Sequence, residues 1–150
     1  MKIDDNKLVM RNKSFDLNEI ALIGIQQNSL YEEFGLEDNY WLEFKFNNGD
    51  KYDLDSSRTN YESDIVRRFK IIHKLLIDEG LNHFTSLGYM IVNIDNVKDI
   101  RFINKNKGIE IVFKDFHIDY PQLGKWRAKK AMKQYKQKVK EMEEEQVLQQ

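Results

Sequence analysis

The sequence contains no cysteine, a single proline and no long apolar run. Without cysteine the chain cannot form the disulfide bonds or thiolate zinc sites that stabilise many small domains. No apolar segment approaches the roughly 18 residues that a membrane-spanning helix needs. The first residues also lack the apolar segment of a secretory signal peptide. We therefore expect a cytoplasmic protein with no membrane partner.

Sequence motifs for catalysis and for cofactors are missing as well. The three histidines do not have the spacing of a metal motif, and the seven glycines are spread singly, without a phosphate-binding loop or a dinucleotide fingerprint. No serine lies in a nucleophile-elbow sequence. The acidic clusters fall in predicted loops and turns, where carboxylates are usually solvated. We therefore expect no catalytic residue, no metal site and no cofactor, and so a protein that is not an enzyme.

One apolar pattern occurs twice in the chain. The segments FDLNEIALIGI and VNIDNVKDIRF share four apolar positions at a constant offset of 77 residues. The residues are Leu17, Ile20, Ile23 and Ile25 in the first copy and Ile94, Val97, Ile100 and Phe102 in the second. Each copy is followed by an alternating strand and then by a helical stretch. The sequence therefore predicts an α+β fold of two β-rich repeats, each followed by a helix, with a long basic helix at the C-terminus.

Local signals place several elements within these repeats. Apolar residues alternate with polar ones over 42–46, and Asn47–Asp50 supplies residues that tolerate a tight turn, which predicts a hairpin. Thr59 and Glu62 have the spacing of a capping box at the start of an amphipathic helix of about five turns. Pro121 is expected in the first turn of the last helix, since proline is tolerated there.

The segment Gln26–Asn39 is too long for a tight turn, and we interpret it as an insertion. Ser29 is expected to cap a short helical turn that Gly35 ends. The mixture of aromatic and acidic side chains suits a basic protein partner, although such a loop can also fold over the open end of a sheet. The candidate partner-binding residues are Leu30, Tyr31, Glu32, Glu33, Phe34 and Glu37.

Charge is distributed unevenly along the chain. Residues 124–150 contain eight basic and four acidic residues, whereas residues 1–123 contain sixteen basic and twenty-one acidic ones. We therefore divide the chain into an acidic α+β domain, 1–123, and a basic helix with an acidic and glutamine-rich tail, 124–150. A basic helix with interleaved aromatic residues can bind phosphate groups. The candidate nucleic-acid-binding residues are Lys125, Trp126, Arg127, Lys129, Lys130, Lys133 and Lys136.

Two other interpretations of this helix remain open. Its lysines can form a solvated face around an apolar stripe, partly balanced by the glutamates that follow. The stripe from Ala128 to Met142 can also pair with a second copy of the chain and so form a homodimer.

The string FTSLGYMIVNIDNVKDI at Phe84–Ile100 resembles the core of the LytTR DNA-binding domain. The resemblance implies a mostly β fold that contacts DNA through loops, usually as the output domain of a bacterial regulator. Thr85 and Leu87 stand where that family has Arg and His, and Asp119–Tyr120 stands where it has Ser-Arg, so only Asn93 carries over. A small pleckstrin-homology-like domain has the same order of strands and helices.

The leading functional hypothesis is a non-enzymatic binding protein that acts through protein–protein contacts, such as a bacterial or phage-encoded regulator, inhibitor or assembly factor. It depends on two amphipathic elements, the insertion and the C-terminal helix, in a chain without catalytic motifs. The second hypothesis is nucleic-acid binding through the basic helix.

Overall fold

The computed structural model describes residues 1–32 and 35–149, without the side chains of 29–32 and 35–37. Over these residues the chain forms eleven strands and two α-helices, which confirms the predicted α+β class. The strands are β1 Lys2–Asp4, β2 Lys7–Met10, β3 Lys13–Asp16, β4 Ile20–Glu32, β5 Gly35–Phe46, β6 Lys51–Thr59, β7 Phe84–Ser86, β8 Met90–Asn93, β9 Val97–Ile103, β10 Gly108–Phe113 and β11 His117–Tyr120. The helices are α1 Glu62–Asp78 and α2 Lys125–Leu148.

The strands form three antiparallel sheets. The central sheet has the order β6-β5-β4-β8-β7, and two smaller sheets have the orders β1-β2-β3 and β11-β10-β9. In β4 and β8, alternate side chains point to opposite faces. Ile23 and Ile91 pack in a first core with α1, β2 and β3, whereas Leu22 and Val92 pack in a second core with α2, β9, β10 and β11. These strands are buried on both faces, which explains their continuous apolar sequences.

The two helices differ in how much of their length is packed. On α1, Ile65, Phe69, Ile72 and Leu76 are buried at helical spacing along the whole helix. On α2, the buried residues are Ala128, Ala131 and Met132, all in the first third. The remainder of α2 extends past the second core, and its last apolar residue, Leu148, is 86% exposed.

The internal repeat extends to the backbone. β3 leads through a 3₁₀ turn, Leu17–Glu19, into β4, and β8 leads through a matching turn, Ile94–Asn96, into β9. In each of these three pairs of elements, the second element begins 77 residues after the first. Each following strand also has a bulge after its first residue, at Ala21 and at Lys98. The sequence repeat therefore corresponds to a repeated supersecondary unit.

The predicted helical turn within Gln26–Asn39 is wrong. β4 continues to Glu32, β5 begins at Gly35, and the two strands pair in regular register up to Glu32 opposite Gly35. Pairing of one strand with the other satisfies backbone hydrogen-bonding groups that an isolated turn would leave to solvent. The predicted insertion is therefore the outer part of a long β-hairpin.

The predicted starts of both helices are also corrected, whereas the turn at Asn47–Asp50 is confirmed. α1 begins at Glu62, two residues later than a capping box at Thr59 predicts, because the Thr59 hydroxyl accepts a hydrogen bond from the Tyr61 backbone N–H at 3.2 Å and shapes the preceding turn. Pro121 lies before α2 rather than inside it. Its carbonyl accepts a hydrogen bond from the Asn104 side chain at 2.7 Å, which ties it to the neighbouring turn.

Candidate binding groove

A groove of about 800 Å³ lies between the two halves of the molecule. Its walls come from α1 and from the first turns of α2, and its floor comes from β4, β5 and β11. Clefts of several hundred cubic ångströms at such junctions are common ligand-binding sites. We refer to it as the inter-repeat groove.

The α2 wall of the inter-repeat groove combines cations with aromatic rings. The Trp126 side chain is 72% exposed, and the Lys130 Nζ lies 5.2 Å from its ring centroid. The Arg127 guanidinium lies 5.1 Å from the ring centroid of Tyr89 and 4.0 Å from a Glu62 carboxylate oxygen. Cations held over aromatic faces in this way keep their outer surfaces available to an anionic ligand.

The overall charge of the groove lining is positive. Burial lowers the pKa of His73 below its ordinary value, so this side chain is neutral at pH 7. Among the described side chains, the charged lining residues are four cations and two carboxylates. They are Lys45, Lys70, Arg127 and Lys130, with Glu62 and Asp119. The lining therefore favours a ligand that carries negative charge.

Tyr120 forms part of the groove floor. Its hydroxyl is buried and has no hydrogen-bond partner among the described residues, and it lies 3.4 Å from the position that a Cβ on Gly24 would occupy. Burial, and then the nearby Glu43 carboxylate, raise the pKa of this phenol well above its usual value. Glu43 itself is buried and lies 3.4 Å from the Lys45 ammonium.

The edge of β4 opens onto the same groove. β8 pairs with β4 only over Leu22–Gly24, and the Ile25 backbone N–H then donates to the Tyr89 carbonyl at 3.2 Å. No further strand pairs with this side of β4 in the described part of the chain. N–H groups alternate in direction along a strand, so those of Gln27 and Ser29 point to the open edge while Asn28 faces β5.

The predicted nucleic-acid-binding residues separate into two groups on α2. Trp126, Arg127 and Lys130 line the inter-repeat groove. The others share a different flank with Lys140, since successive members are three or four residues apart in a helix of 3.6 residues per turn. We call this flank the lysine ridge, and its members are Lys125, Lys129, Lys133, Lys136 and Lys140. All five are exposed, and none forms an ion pair with another described residue.

Four of the six predicted partner-binding residues lie in the paired outer ends of β4 and β5. Glu33 and Phe34 lie outside the described residues. Leu30, Tyr31 and Glu32 are in β4 and Glu37 is in β5, where the structure describes only their backbone.

Three potential metal ligands meet on the β10–β11 hairpin. Single ligand atoms of Glu110, His117 and Asp119 lie within 4.8 Å of one another. These groups already interact, since His117 Nδ1 lies 3.0 Å from Asp119 and 3.3 Å from Glu110, which also lies 3.6 Å from Arg101. A divalent cation would therefore have to displace the His117–Asp119 hydrogen bond and the ion pair between Arg101 and Glu110. The spacing of His117 and Asp119 on one strand face was its only sequence signal.

Sequence reasoning missed the groove residues Tyr89, Tyr120 and His73. They come from three separate elements, and no local motif connects them. Only the wall residues on α2 had a local signal, which was the run of cations around Trp126.

A comparison with models of protein families, with curated proteins and with solved structures finds no significant match to this chain. Neither α1 nor α2 is long and apolar enough to span a lipid bilayer, judged over the described residues.

Proposed function

We propose that this is a non-enzymatic binding protein whose partner is another protein, and that an extended acidic segment of that partner adds as a strand to the open edge of β4. The observation that carries the proposal is the unpaired edge of β4 beyond Ile25, which opens onto a groove lined by cations and aromatic rings. A role as a bacterial or phage-encoded regulator, inhibitor or assembly factor is consistent with this mode of binding.

Strand addition explains why the edge and the groove occur together. The backbone of an added strand supplies affinity through hydrogen bonds, and its alternate side chains supply specificity through the surface below. Beside β4 those side chains would lie against Trp126, Arg127 and Lys130. Acidic and aromatic side chains suit these contacts, because they can pair with the cations and stack on the rings.

The edge is tested by removing one outward N–H group. Gln27→Pro deletes a donor on the open side while leaving the hydrogen bonds between β4 and β5 in place, because proline is tolerated where the N–H faces away from the sheet. Gln27→Ala is the matched control, since it changes the same side chain and keeps the N–H. We expect a partner captured by the wild-type protein and by Gln27→Ala to be lost from Gln27→Pro.

Hydrogen exchange on the reconstituted complex then locates the partner. Strand addition predicts slower exchange of the Gln27 and Ser29 amides in the complex than in the free protein. A partner that binds Gln27→Pro as tightly as the wild type, or that protects only amides elsewhere, would disprove strand addition.

The lysine ridge supports a second candidate function, which is binding to the phosphate backbone of nucleic acid. Its five exposed cations have no competing acidic partner among the described side chains. Regular spacing along one helix flank suits contact with successive phosphates. The resemblance to the LytTR domain points to the same class of ligand, although it concerns other residues.

Titration of a fluorescent DNA duplex at several salt concentrations tests this second function. Five phosphate contacts predict a slope of about −4.5 in a plot of log affinity against log salt concentration. Replacement of Lys125, Lys129 and Lys133 by Glu should abolish binding. The charge-matched control replaces the exposed lysines Lys7, Lys105 and Lys114. Equal loss in both variants would show only an effect of net charge, and would disprove a specific role of the ridge.

A further inference from the structure

α2 extends beyond the core on which its first turns pack. The helix has 24 residues, and so spans about 36 Å. Its apolar stripe continues past the buried Met132 through Tyr135, Val139 and Met142, at alternating spacings of three and four residues. Tyr135 still packs against the second core, and the two side chains beyond it, Val139 and Met142, are only partly buried. This spacing is that of a coiled-coil seam, so the projecting part of α2 carries a seam without a partner helix among the described elements.

Charge reverses along the same part of the helix. Every charged residue of α2 up to Lys140 is basic, and every charged residue from Glu141 onward is acidic. The seam can be written as a heptad repeat with Val139 at position a and Met142 at position d. Lys136 and Lys138 then occupy the flanking positions e and g of one heptad. Glu143 and Glu145 occupy the same positions in the next heptad.

We propose that the projecting halves of α2 from two copies of this chain pair in antiparallel orientation about a twofold axis near residues 140 and 141. Val139 of each copy then packs on Met142 of the other. Lys136 lies beside Glu143 of the second copy, and Lys138 lies beside Glu145 of the second copy. The twofold axis repeats each contact, so four lysine–glutamate pairs flank the seam.

The charge pattern favours the antiparallel orientation. In a parallel pair in register, position g of one helix contacts position e of the following heptad of the other, which gives only the two Lys138–Glu143 contacts, whereas the antiparallel pair gives four lysine–glutamate contacts. In an antiparallel pair the folded domains of the two copies lie at opposite ends of the helix pair. Only the projecting halves of α2 therefore need to be in contact. The first third of α2 therefore stays in the core of its own chain. This inference does not depend on the proposed function, since it uses neither the β4 edge nor the groove.

Two charge-reversed variants test the pairing. The acidic variant carries Lys136→Glu and Lys138→Glu, and the basic variant carries Glu143→Lys and Glu145→Lys. All four positions are outside the cores, and far-ultraviolet circular dichroism checks that each variant is folded. Sedimentation equilibrium then measures the association of each variant alone and of an equimolar mixture.

The wild-type protein should form a dimer that weakens as salt is added. Each variant alone should dimerise at least about tenfold more weakly, because four attractive contacts become repulsive. The mixture should form a heterodimer, and a chain with all four substitutions should again form a homodimer. Val139→Glu should prevent association in every combination.

A wild-type protein that stays monomeric up to millimolar concentration would overturn the inference. A mixture that associates no more strongly than the separate variants would overturn it too, since lysine–glutamate complementarity between the two copies requires rescue. Gln27→Pro should leave the dimer intact, so failure of strand addition and failure of this inference give different results.

Discussion

At the scale of single residues, Gly108 is fixed by backbone packing. Gly108 is the first residue of β10, and the backbone at the end of β11 passes directly over it. A Cβ at this position would collide with the carbonyl oxygen of Tyr120 and with the backbone of Pro121. Backbone atoms cannot rotate out of the way as a flexible side chain can, so only glycine fits.

Gly108→Ala should therefore lower the free energy of unfolding by about 3 kcal/mol, as overpacking against fixed atoms does. Urea unfolding measures the change. Lys107→Ala alters the exposed neighbouring residue, and should stay within about 0.5 kcal/mol of the wild type. Equal stability of the two variants would mean that the backbone can separate at this point at little cost.

Tyr120 predicts a pH dependence of stability. Its pKa is raised in the folded state, mainly by burial. Above the ordinary tyrosine pKa of about 10 the unfolded chain loses this proton while the folded chain keeps it, so stability decreases as pH rises. Its contribution is fully present below pH 10 or so.

Tyr120→Phe should remove this dependence. The stability of the wild type should fall more steeply with pH than that of the variant, by up to about 1.4 kcal/mol per pH unit in the alkaline range. Urea unfolding between pH 8 and about 11 measures both slopes. At neutral pH the variant should be at least as stable, because the lost hydroxyl is buried without a partner. Parallel pH profiles would show that the phenol ionises normally.

At the scale of elements, the two 3₁₀ turns are stabilised in the same way. The Asp16 carboxylate accepts a hydrogen bond from the Asn18 N–H at 2.9 Å, and the Asn93 side chain accepts one from the Asp95 N–H at 3.2 Å. Asp16 and Asn93 occupy equivalent positions in the two repeats. Both turns therefore have a short side-chain acceptor, although the residue type differs.

Asp16→Ala and Asn93→Ala should each cost about 1 kcal/mol of stability, which is typical for the loss of a capping acceptor. The controls are the exchange variants Asp16→Asn and Asn93→Ser, which keep an acceptor oxygen without adding a charge at the buried position 93. Thermal and urea unfolding of the four variants measure the difference. If the alanine and exchange variants were equally stable, the side-chain hydrogen bonds would contribute nothing.

At the scale of the whole molecule, the two cores share the same strands. Alternate residues of β4 and β8 belong to different cores. Disruption of one core therefore exposes the same strands on which the other core packs. The molecule should therefore unfold in one cooperative transition, although its sequence repeats.

Ile72→Ala in the first core and Ile111→Ala in the second should each lower this single transition by about 2 to 5 kcal/mol. Urea unfolding followed by circular dichroism should show one step with an unchanged m-value in both variants. Ile71→Ala is the surface control on α1, since Ile71 is 47% exposed. Two separate steps in either core variant would show that the repeats unfold independently.

The elements that sequence reasoning predicted correctly are those encoded by neighbouring residues. The repeat, the turn at Asn47–Asp50 and the stripe of α1 each depend on local spacing. The start of α1 was placed too early, because the Thr59 hydroxyl bonds within the preceding turn instead of capping the helix. The helical turn expected at Ser29 was wrong because the segment pairs with a strand that follows it in the chain.

The candidate site was predictable only where a single element carries it. The cations around Trp126 were identified from the sequence, but their separation into a groove wall and a lysine ridge follows from which face of α2 packs on the core. The groove itself joins side chains from both repeats, and the distance between such residues in the chain gives no signal of their contact.

The sequence by itself determined the fold class, the repeated unit and the charge reversal along α2, because local spacing and residue type are sufficient for these features. The tertiary structure alone decided the extent of the β4–β5 hairpin, the open edge of β4 and the groove beside it. These depend on which backbone groups find partners and which surfaces become buried, and both are settled by packing between distant segments rather than by neighbouring residues.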